Sequence, residues 1–455
     1  MRLIGWRWLA LSSVLVAVLA RGETRPQYGG TLRVATRAAF ASLDPADNTQ
    51  ADSFARRSVT LLMFETLVAN DDNSRPRSGL AITWQASAGN QHWQFHLRRG
   101  VQFHDGSPLT AEVAAASLRS GNPTWNVTAD GDSVTIDCGS PDPELLAELA
   151  LPRNAIVKRN SNLPSGTGPF HFVNWQPGKE ITLAAEEGYW GGRPFIDGIE
   201  IEMGKSFRDQ MTALDSGKVD LIDVAPEPAH AGTLGQRRVA SSAPMELLAL
   251  LFTRDAQTAD EKLLRQALAD SIERGSIRSV LLQGAGQPAG AVLPDWMSGY
   301  GFVFPTDGDL PRARHAREQV RTIPNWTIAY DSGDPRARLL AERIALNGKD
   351  AGLSLQATST GNGDLRLLRI PLASTDPWIT LAQVFNLAGV AVPKSKGGSI
   401  EELYLVEHTL LTTQRLIPLF HLPTSYMGSG TVKNWNVRAD GTLSLSNASM
   451  GNGIP

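Results

Sequence analysis

The chain has 455 residues, of which 42% are hydrophobic and 20% are charged. This length and composition allow about three globular domains and exclude a disordered or fibrous protein. The formal net charge of −3 gives nucleic acid no electrostatic reason to bind, and the single cysteine, Cys138, excludes an internal disulfide and a cysteine-based metal cluster.

The first twenty residues have the order of a secretory signal peptide. Arg2 and Arg7 precede an apolar stretch that ends at Ala20. This stretch is shorter than the roughly 20 residues that a membrane-spanning helix needs. Cleavage fits after Ala20 or after Gly22, and no nearby cysteine offers a site for a lipid. We therefore expect a protein released outside the cytoplasm without a lipid anchor; the alternative is an uncleaved N-terminal anchor.

The first third of the mature chain contains clear helix and strand patterns. Alternating β-branched residues predict a strand over residues 30–36, and an amphipathic pattern predicts a helix over residues 53–68. Residues 92–97 alternate between apolar and polar side chains, which predicts a half-buried strand. An Asp105-Gly106 turn follows, and then a second helix over residues 110–118.

Two βαβ patterns lie in different halves of the chain. The first combines strands 199–203 and 220–224 with helix 207–216, and the second combines strands 326–330 and 353–357 with helix 335–347. Between them lie an apolar run, 245–252, and a helix, 259–274; a further strand covers 365–372. These patterns predict two α/β lobes, with ligand loops at the carboxyl ends of their strands facing a shared cleft.

Common catalytic and metal-binding patterns are missing from the sequence. His92 and His96 lie four residues apart on a predicted strand, which separates them by about 13 Å, too far to share one metal ion. Cys138 ends a strand and has no adjacent histidine to activate it. No nucleophile elbow, phosphate-binding loop or zinc-protease motif occurs. We therefore expect a protein without catalytic residues, metal or cofactor.

Eight segments of the chain resemble, in order, the bacterial family 5 extracytoplasmic solute-binding proteins, which are peptide- and nickel-type receptors of ABC importers. These segments are residues 93–118, 166–170, 175–178, 189–194, 215–221, 265–274, 293–300 and 417–419. Most of them are expected to be structural. In the Gly166-Thr167-Gly168-Pro169-Phe170 turn, for example, we assign the glycines to their permissive backbone dihedrals.

The resemblance implies an α/β protein of the type II periplasmic-binding-protein architecture. Two lobes would close like a flytrap on a solute, and an extra subdomain would be inserted in lobe I. The expected boundaries are residues 1–20 for the signal peptide, 25–49 with 163–243 and 426–455 for lobe I, 50–162 for the subdomain, and 244–425 for lobe II. The subdomain is shortened, because only the polar stretch 120–132 separates its helix from the next strand.

The resemblance also implies a function. The chain is expected to be the non-enzymatic, periplasmic solute-binding component of an ABC importer, working as a monomer. It would capture a peptide-like or other small solute and present it to the permease in the inner membrane. A ligand sensor or chaperone-like binder on the same fold, and an extracytoplasmic hydrolase, remain alternatives at this stage.

The sequence departs from the peptide-binding members of this family in one loop. In those members a carboxylate three residues ahead of an acidic-proline pair holds the ammonium group of the peptide. Here the pair is Asp376-Pro377, and Ala373 occupies the carboxylate position, while Ile370 replaces an aromatic residue. A buried ammonium would lose a charge-assisted hydrogen bond, so ordinary peptide binding is in question unless Asp376 substitutes.

Candidate ligand-binding residues lie in loops near the expected cleft. Each has a structural alternative, such as core packing, a surface ion pair or hinge packing. The candidates are Phe40 and Ala41 after the first strand, Trp296 and Tyr300 in a loop of lobe II, Arg369 at a strand end, Asp376 and Trp378, and Tyr426 near a crossing between the lobes.

Overall fold

A computed structural model describes residues 26–71, 75–159, 163–225, 237–359, 361–393 and 398–451. The signal peptide predicted over residues 1–20 lies outside these ranges. Within them, no helix combines the length and the apolar character that crossing a membrane requires.

The first strand is followed by a region with its own small sheet. In chain order the elements are β1 (Thr31–Ala35), α1 (Phe54–Met63), β2 (Val68–Asn70), β3 (Pro76–Ser78), β4 (Ala81–Ala86), β5 (His92–Leu97), α2 (Ala111–Gly121), β6 (Asn126–Asp130), β7 (Ser133–Asp137), α3 (Leu145–Leu149), a 3₁₀ helix (Pro152–Asn154), β8 (Lys158–Arg159) and β9 (Pro164–Ser165). Strands β4, β5, β7 and β6 form an antiparallel sheet, and α2 packs on it.

The chain then returns to β1. The next elements are β10 (Phe170–Gln176), β11 (Glu180–Ala185), β12 (Gly198–Glu202), α4 (Phe207–Asp215) and β13 (Leu221–Val224). Both β12 and β13 pair in parallel with β1, one on each side. The βαβ pattern predicted over residues 199–224 is therefore present, with β1 inserted between its two strands.

The remaining elements build the second half of the molecule. They are β14 (Arg238–Phe252), α5 (Ala259–Ser271), α6 (Arg274–Val280), β15 (Gln287–Pro288), α7 (Asp295–Ser298), a 3₁₀ helix (Gly301–Val303), α8 (Leu310–Glu318), β16 (Asn325–Ala329), α9 (Pro335–Asp350), β17 (Ser354–Thr358), β18 (Leu365–Pro371), α10 (Pro377–Ala388), α11 (Ile400–Thr412), β19 (Leu416–Gly428), β20 (Val432–Lys433), β21 (Asn436–Val437), β22 (Leu443–Ser444) and β23 (Ser449–Met450). Strand β16 pairs in parallel with both β17 and β18.

One mixed sheet joins the two halves in the order β10-β11-β12-β1-β13-β19-β14-β18-β16-β17. We call the half from β10 to β13 lobe I and the half from β18 to β17 lobe II. The long antiparallel strands β14 and β19 pass through both lobes. Their register shifts on either side of Pro244, which faces Pro423 at the crossing.

The hydrophobic core is divided along the same lines. One cluster fills lobe I around Leu32 and Phe170, and another fills the inserted region around Phe95 and Leu118. Lobe II has a cluster on each face of its sheet. The molecule is thus two lobes with an added subdomain, while the residue limits given above for these parts stay a prediction.

The glycines of the 166–170 turn have a different role from the one expected. Neither Gly166 nor Gly168 has a positive φ. A Cβ atom on Gly166 would lie 2.0 Å from the Met63 carbonyl oxygen, and one on Gly168 would lie 2.6 Å from the Leu62 carbonyl oxygen. The turn therefore requires glycine because it packs directly on the backbone at the end of α1.

Candidate functional site

A cavity of about 550 Å³ lies between the lobes. On the lobe I side, it is lined by the chain following β1, β12 and β13; on the lobe II side, by the chain following β16 and by the end of β18. These are the carboxyl ends of parallel strands, where α/β sheets bind ligands. The cavity volume is in the range of roughly 300–1,000 Å³ that is usual for small-molecule sites.

Contacts beside the cavity hold the lobes together. Arg57 of α1 donates from Nη1 to the Leu372 carbonyl oxygen at 2.7 Å and from Nη2 to the Pro371 carbonyl oxygen at 3.3 Å. Leu151 of the subdomain packs against Ala373 of lobe II in a small apolar cluster. The lobes therefore touch beside the cavity, which stays partly open to solvent.

Four ion pairs involve charged side chains of the cavity wall. Asp52 accepts from Arg57 Nε at 3.0 Å, and Asp331 lies 3.6 Å from Arg37 Nη1. Glu246 on β14 accepts from Arg369 Nη1 on β18 at 2.8 Å, and Asp334 Oδ2 lies 3.4 Å from Arg369 Nε. These carboxylates therefore already have a guanidinium partner inside the protein.

Asp223, at the end of β13, is bound differently. Both of its carboxylate oxygens accept the backbone N–H of Arg37, at 3.0 Å and 3.3 Å. No lysine or arginine of the described ranges lies within 4 Å of this carboxylate, although it lines the cavity. Burial raises the pKa of Asp223 to about 6. The cavity therefore contains a carboxylate whose charge is not balanced by an ion pair.

Aromatic rings form part of the same wall. Phe54 at the start of α1, Phe207 at the start of α4 and Tyr426 on β19 all line the cavity. The Arg37 guanidinium lies 5.4 Å from the centre of the Phe207 ring, which is within cation–π range. The wall thus offers apolar surface as well as charge to a solute.

Two of the candidates named from the sequence line this cavity. Arg369 does so with 15% of its side chain exposed, but its charge is taken up by Glu246 and Asp334. Tyr426 is buried in the lobe I core and faces Asp223 across the β13–β19 ladder. The structure brings these two residues to one site.

Four other candidates lie away from the cavity. Phe40 is buried in lobe I, where its ring stacks on Trp175 with centroids 5.7 Å apart. Ala41 is exposed, and its N–H donates to Gln50 Oε1 at 2.9 Å. On lobe II, Trp296 is 44% exposed and Trp378 packs against the core.

Asp376 acts at a helix terminus in this structure. Its Oδ1 accepts the N–H groups of Trp378 at 2.9 Å and Ile379 at 3.1 Å, which caps α10. Asp376 does not line the cavity, and Ala373 is buried against Leu151. In this structure, Asp376 therefore does not supply the carboxylate that is missing at position 373.

His92, His96 and Cys138 lie in the subdomain, apart from the cavity. His92 Nδ1 is 3.5 Å from Asp137 Oδ2, and His96 Nδ1 is 3.4 Å from Ser133 Oγ. Cys138 is half-buried beside the subdomain core, and burial raises the pKa of its thiol to about 11. A thiol with that pKa is a poor nucleophile at neutral pH.

Tyr300, the remaining candidate, lies in the core of lobe II and is 6% exposed. Beside it is Glu407, a fully buried carboxyl group on α11 that accepts the backbone N–H groups of Val292 and of Leu293, the latter at 2.9 Å. Burial raises the pKa of Glu407 to about 7. Burial lowers the pKa of the nearby His421, which contacts the Val292 carbonyl oxygen, to about 4.

The raised pKa of Glu407 predicts how the Glu407→Gln substitution changes the pH dependence of stability. Because Glu407 keeps its proton up to about pH 7 in the folded state but releases it near pH 4.5 when unfolded, its contribution to stability falls as pH rises through that interval. The lowered pKa of His421 has the opposite effect on stability. Because wild type and Glu407→Gln both contain His421, its effect cancels when the two proteins are compared. We therefore expect the free energy of unfolding of the variant, relative to wild type, to rise by about 2 kcal/mol between pH 5 and pH 7. Urea denaturation at both pH values measures this difference, and parallel curves for the two proteins would contradict it.

Three charged residues of the cavity wall were not among the candidates named from the sequence. Arg37 follows β1, Asp223 ends β13 and Glu246 lies in the apolar strand β14. A usable signal was present, because Asp223 lies between Ile222 and Val224 in the predicted strand 220–224, and Glu246 interrupts the apolar run 245–252. A charge at such a position is costly unless a partner or ligand meets it.

Comparison with known proteins places this geometry in a family. The family model "Bacterial extracellular solute-binding proteins, family 5 Middle" matches residues 75–369, more than half of the chain. The nickel-binding protein NikA of Staphylococcus aureus is 27% identical over 318 residues, which cover 65% of this chain and 64% of NikA. For three curated relatives, the matched region covers between 59% and 64% of the relative's own length.

Solved structures share the fold over a longer span. NikA from S. aureus in complex with Ni(L-His)2 superposes with a TM-score of 0.80 at 18% identity, covering 92% of this chain and 99% of NikA. A dipeptide-binding protein from Pseudoalteromonas sp. SM9913 in complex with Met-Leu gives a TM-score of 0.80 at 15% identity, covering 92% of this chain and all of that one. With its matched family model over residues 75–369 and its two-lobed fold around a cavity, the chain belongs to family 5 of the bacterial extracellular solute-binding proteins.

Proposed function

We propose that this protein is the solute-binding component of an ABC importer and that it encloses one small solute in the cavity between its lobes. The observation that carries the proposal is the cavity itself, which is bounded by strand ends of both lobes and lies beside contacts between the lobes such as that of Arg57. A solute that touches both lobes stabilises the closed form, and the permease recognises that form.

The proposal includes the setting in which the protein works. Its family consists of extracellular binding proteins, and the signal peptide expected at residues 1–20 would export it. We propose that it is a monomer in the periplasm, without a lipid anchor, and that it performs no chemistry on its solute. Peptides, nickel complexes and opines are the first solute classes to test, because proteins of this fold have been solved with each of them.

The proposal is tested on the chain lacking residues 1–20. Native mass spectrometry of freshly purified protein is expected to detect one bound small molecule, and adding that solute back to stripped protein should raise the melting temperature. Ala39→Trp places an indole in the cavity wall and should abolish both effects, whereas Ala88→Trp in an exposed subdomain loop should preserve them.

Two results would count against this function. The first is a protein that carries no small molecule and shows no thermal shift with peptides, nickel complexes, opines or a microbial extract. The second is turnover of a peptide or ester panel by the purified wild type that Ala39→Trp removes, since that would make the cavity a catalytic site.

A further inference from the structure

Most of the carboxylates described in the cavity wall form an ion pair with an arginine, but one does not. Asp52, Glu246 and Asp331 each have an arginine partner, and Arg369 is shared between Glu246 and Asp334. An ion pair of this kind presents little net charge to a solute. Asp223 is the exception within the described part of the chain, because its carboxylate is bound by backbone N–H of Arg37 rather than by a side-chain cation.

Asp223 is also held in a fixed position. It ends β13, which is hydrogen-bonded to β1 on one side and to β19 on the other. Its own N–H donates to Gln210 Oε1 at 3.1 Å, which connects it to α4. A carboxylate fixed in this way loses little conformational entropy when it binds a partner.

A buried carboxylate without a counter-ion is unfavourable, and a cationic group from outside removes that penalty. Burial keeps the pKa of Asp223 near 6, so the group is mostly ionised at pH 7 and able to bind a cation. The nearby cations are shared with other acids. The charge of Arg37 lowers the pKa of Asp223 against the effect of burial, but the same guanidinium lies 3.6 Å from Asp331, and Lys205 lies 2.9 Å from Glu202. One guanidinium thus serves two carboxylates, and the negative charge that remains in the wall can be balanced by a cationic group of the solute.

We propose that Asp223 binds a protonated amino group of the solute within the closed cavity, so that the solute class is amine-bearing small molecules. This inference rests on the proposed function, and it assigns recognition of the positive charge to lobe I. Tyr426, which faces Asp223 across the ladder, forms the adjacent aromatic wall. The solute then bridges from this carboxylate towards the lobe II side of the cavity.

The test compares one mixture of solutes with and without its amines. Stripped wild-type protein is melted with yeast extract and with the same extract after acetylation by acetic anhydride, which converts primary amines into neutral amides. Untreated extract is expected to raise the melting temperature, and acetylation is expected to remove more than half of that shift. Asp223→Asn should lose most of the response to untreated extract.

Asp364→Asn provides a matched control. Asp364 accepts a backbone N–H, that of Thr327 at 2.9 Å, but it lies at the opposite end of β18 from the cavity. This variant should respond to both extracts as wild type does. Circular dichroism and the melting temperature without solute check that Asp223→Asn folds. If this variant does not fold, the comparison of untreated and acetylated extract on wild type still tests the inference.

The outcomes separate this inference from the proposed function. If acetylated extract shifts wild type as strongly as untreated extract, or if Asp223→Asn keeps the full response, the cavity binds a solute but Asp223 does not recognise an amine. If neither extract shifts wild type and no solute is found by native mass spectrometry, the proposed function fails together with the inference.

Discussion

Replacing Glu65 with alanine is expected to lower the free energy of unfolding by about 4 kcal/mol, because three donors would lose their common acceptor. The Glu65 carboxylate, just after α1, accepts from Thr167 Oγ1 at 2.9 Å, from Tyr189 Oη at 2.8 Å and from Trp190 Nε1 at 2.8 Å. The Arg98 guanidinium lies 4.2 Å from the centre of the Trp190 ring. This network joins lobe I to the subdomain.

Chemical denaturation of wild type and variant measures the loss. Glu65→Gln retains one carbonyl oxygen and should cost about half as much. Glu318→Ala, at an exposed position on α8, should change the stability by less than about 0.5 kcal/mol. A Glu65→Ala protein within 1 kcal/mol of wild type would mean that water replaces the carboxylate at little cost.

Arg57→Ala is expected to weaken solute binding by about 100-fold by destabilising the closed form. In this structure, Arg57 donates to two lobe II carbonyl groups while it is paired with Asp52. Removing the guanidinium leaves the buried Leu372 carbonyl oxygen without this donor, whereas the Pro371 carbonyl oxygen still accepts from Gln383 Nε2 at 2.8 Å. We expect the loss to cost about 3 kcal/mol in the form with the lobes together and nothing in a form with the lobes apart. The variant should also have a larger radius of gyration than wild type by small-angle X-ray scattering.

The neighbouring residue supplies the control for this experiment. Arg56 donates to the carbonyl oxygens of Asp44 and Asp47, both within the lobe I side of the molecule. Arg56→Ala should therefore reduce stability without changing solute affinity or the radius of gyration. Equal effects of Arg56→Ala and Arg57→Ala on affinity would show that general destabilisation, rather than closure, is being measured.

Helix starts were predictable from the sequence because their signals are local. Ser53 and Thr110 were expected at the N-termini of their helices, and each accepts a backbone N–H of the first turn, from Arg56 and Val113 respectively. Helix ends depended on distant residues. The amphipathic pattern predicted a helix to residue 68, but α1 ends at Met63, where Gly166 and Gly168 pack on it. The apolar residues beyond Met63 are buried in the following segment instead.

A similar break divides the helix predicted over residues 259–274. The structure has α5 ending at Ser271 and α6 starting at Arg274. The Arg274 guanidinium donates to the Pro418 carbonyl oxygen on β19, with Nη2 at 2.8 Å. Because this contact joins residues 144 positions apart, the local hydrophobic pattern around residue 272 does not predict it.

The family motifs predicted the fold better than they predicted the residues of the cavity. Thr167, Tyr189 and Trp190 all belong to segments that resemble the family, and the structure shows them meeting at Glu65, which lies outside those segments. The motifs therefore indicated the architecture because they build it. The cavity residues are brought together only by tertiary structure, as with Glu246 and Arg369, which are 123 positions apart.

The facing prolines of the two crossing strands have a mechanical consequence. Proline has no backbone N–H, so Pro244 and Pro423 donate no ladder hydrogen bond where the sheet passes from one lobe to the other. Bending at this line therefore breaks few backbone hydrogen bonds. The two halves of the sheet can therefore move as rigid bodies about a hinge at these prolines. The balance between open and closed forms is then set by side chains and solute at the cavity rather than by the strands that connect the lobes.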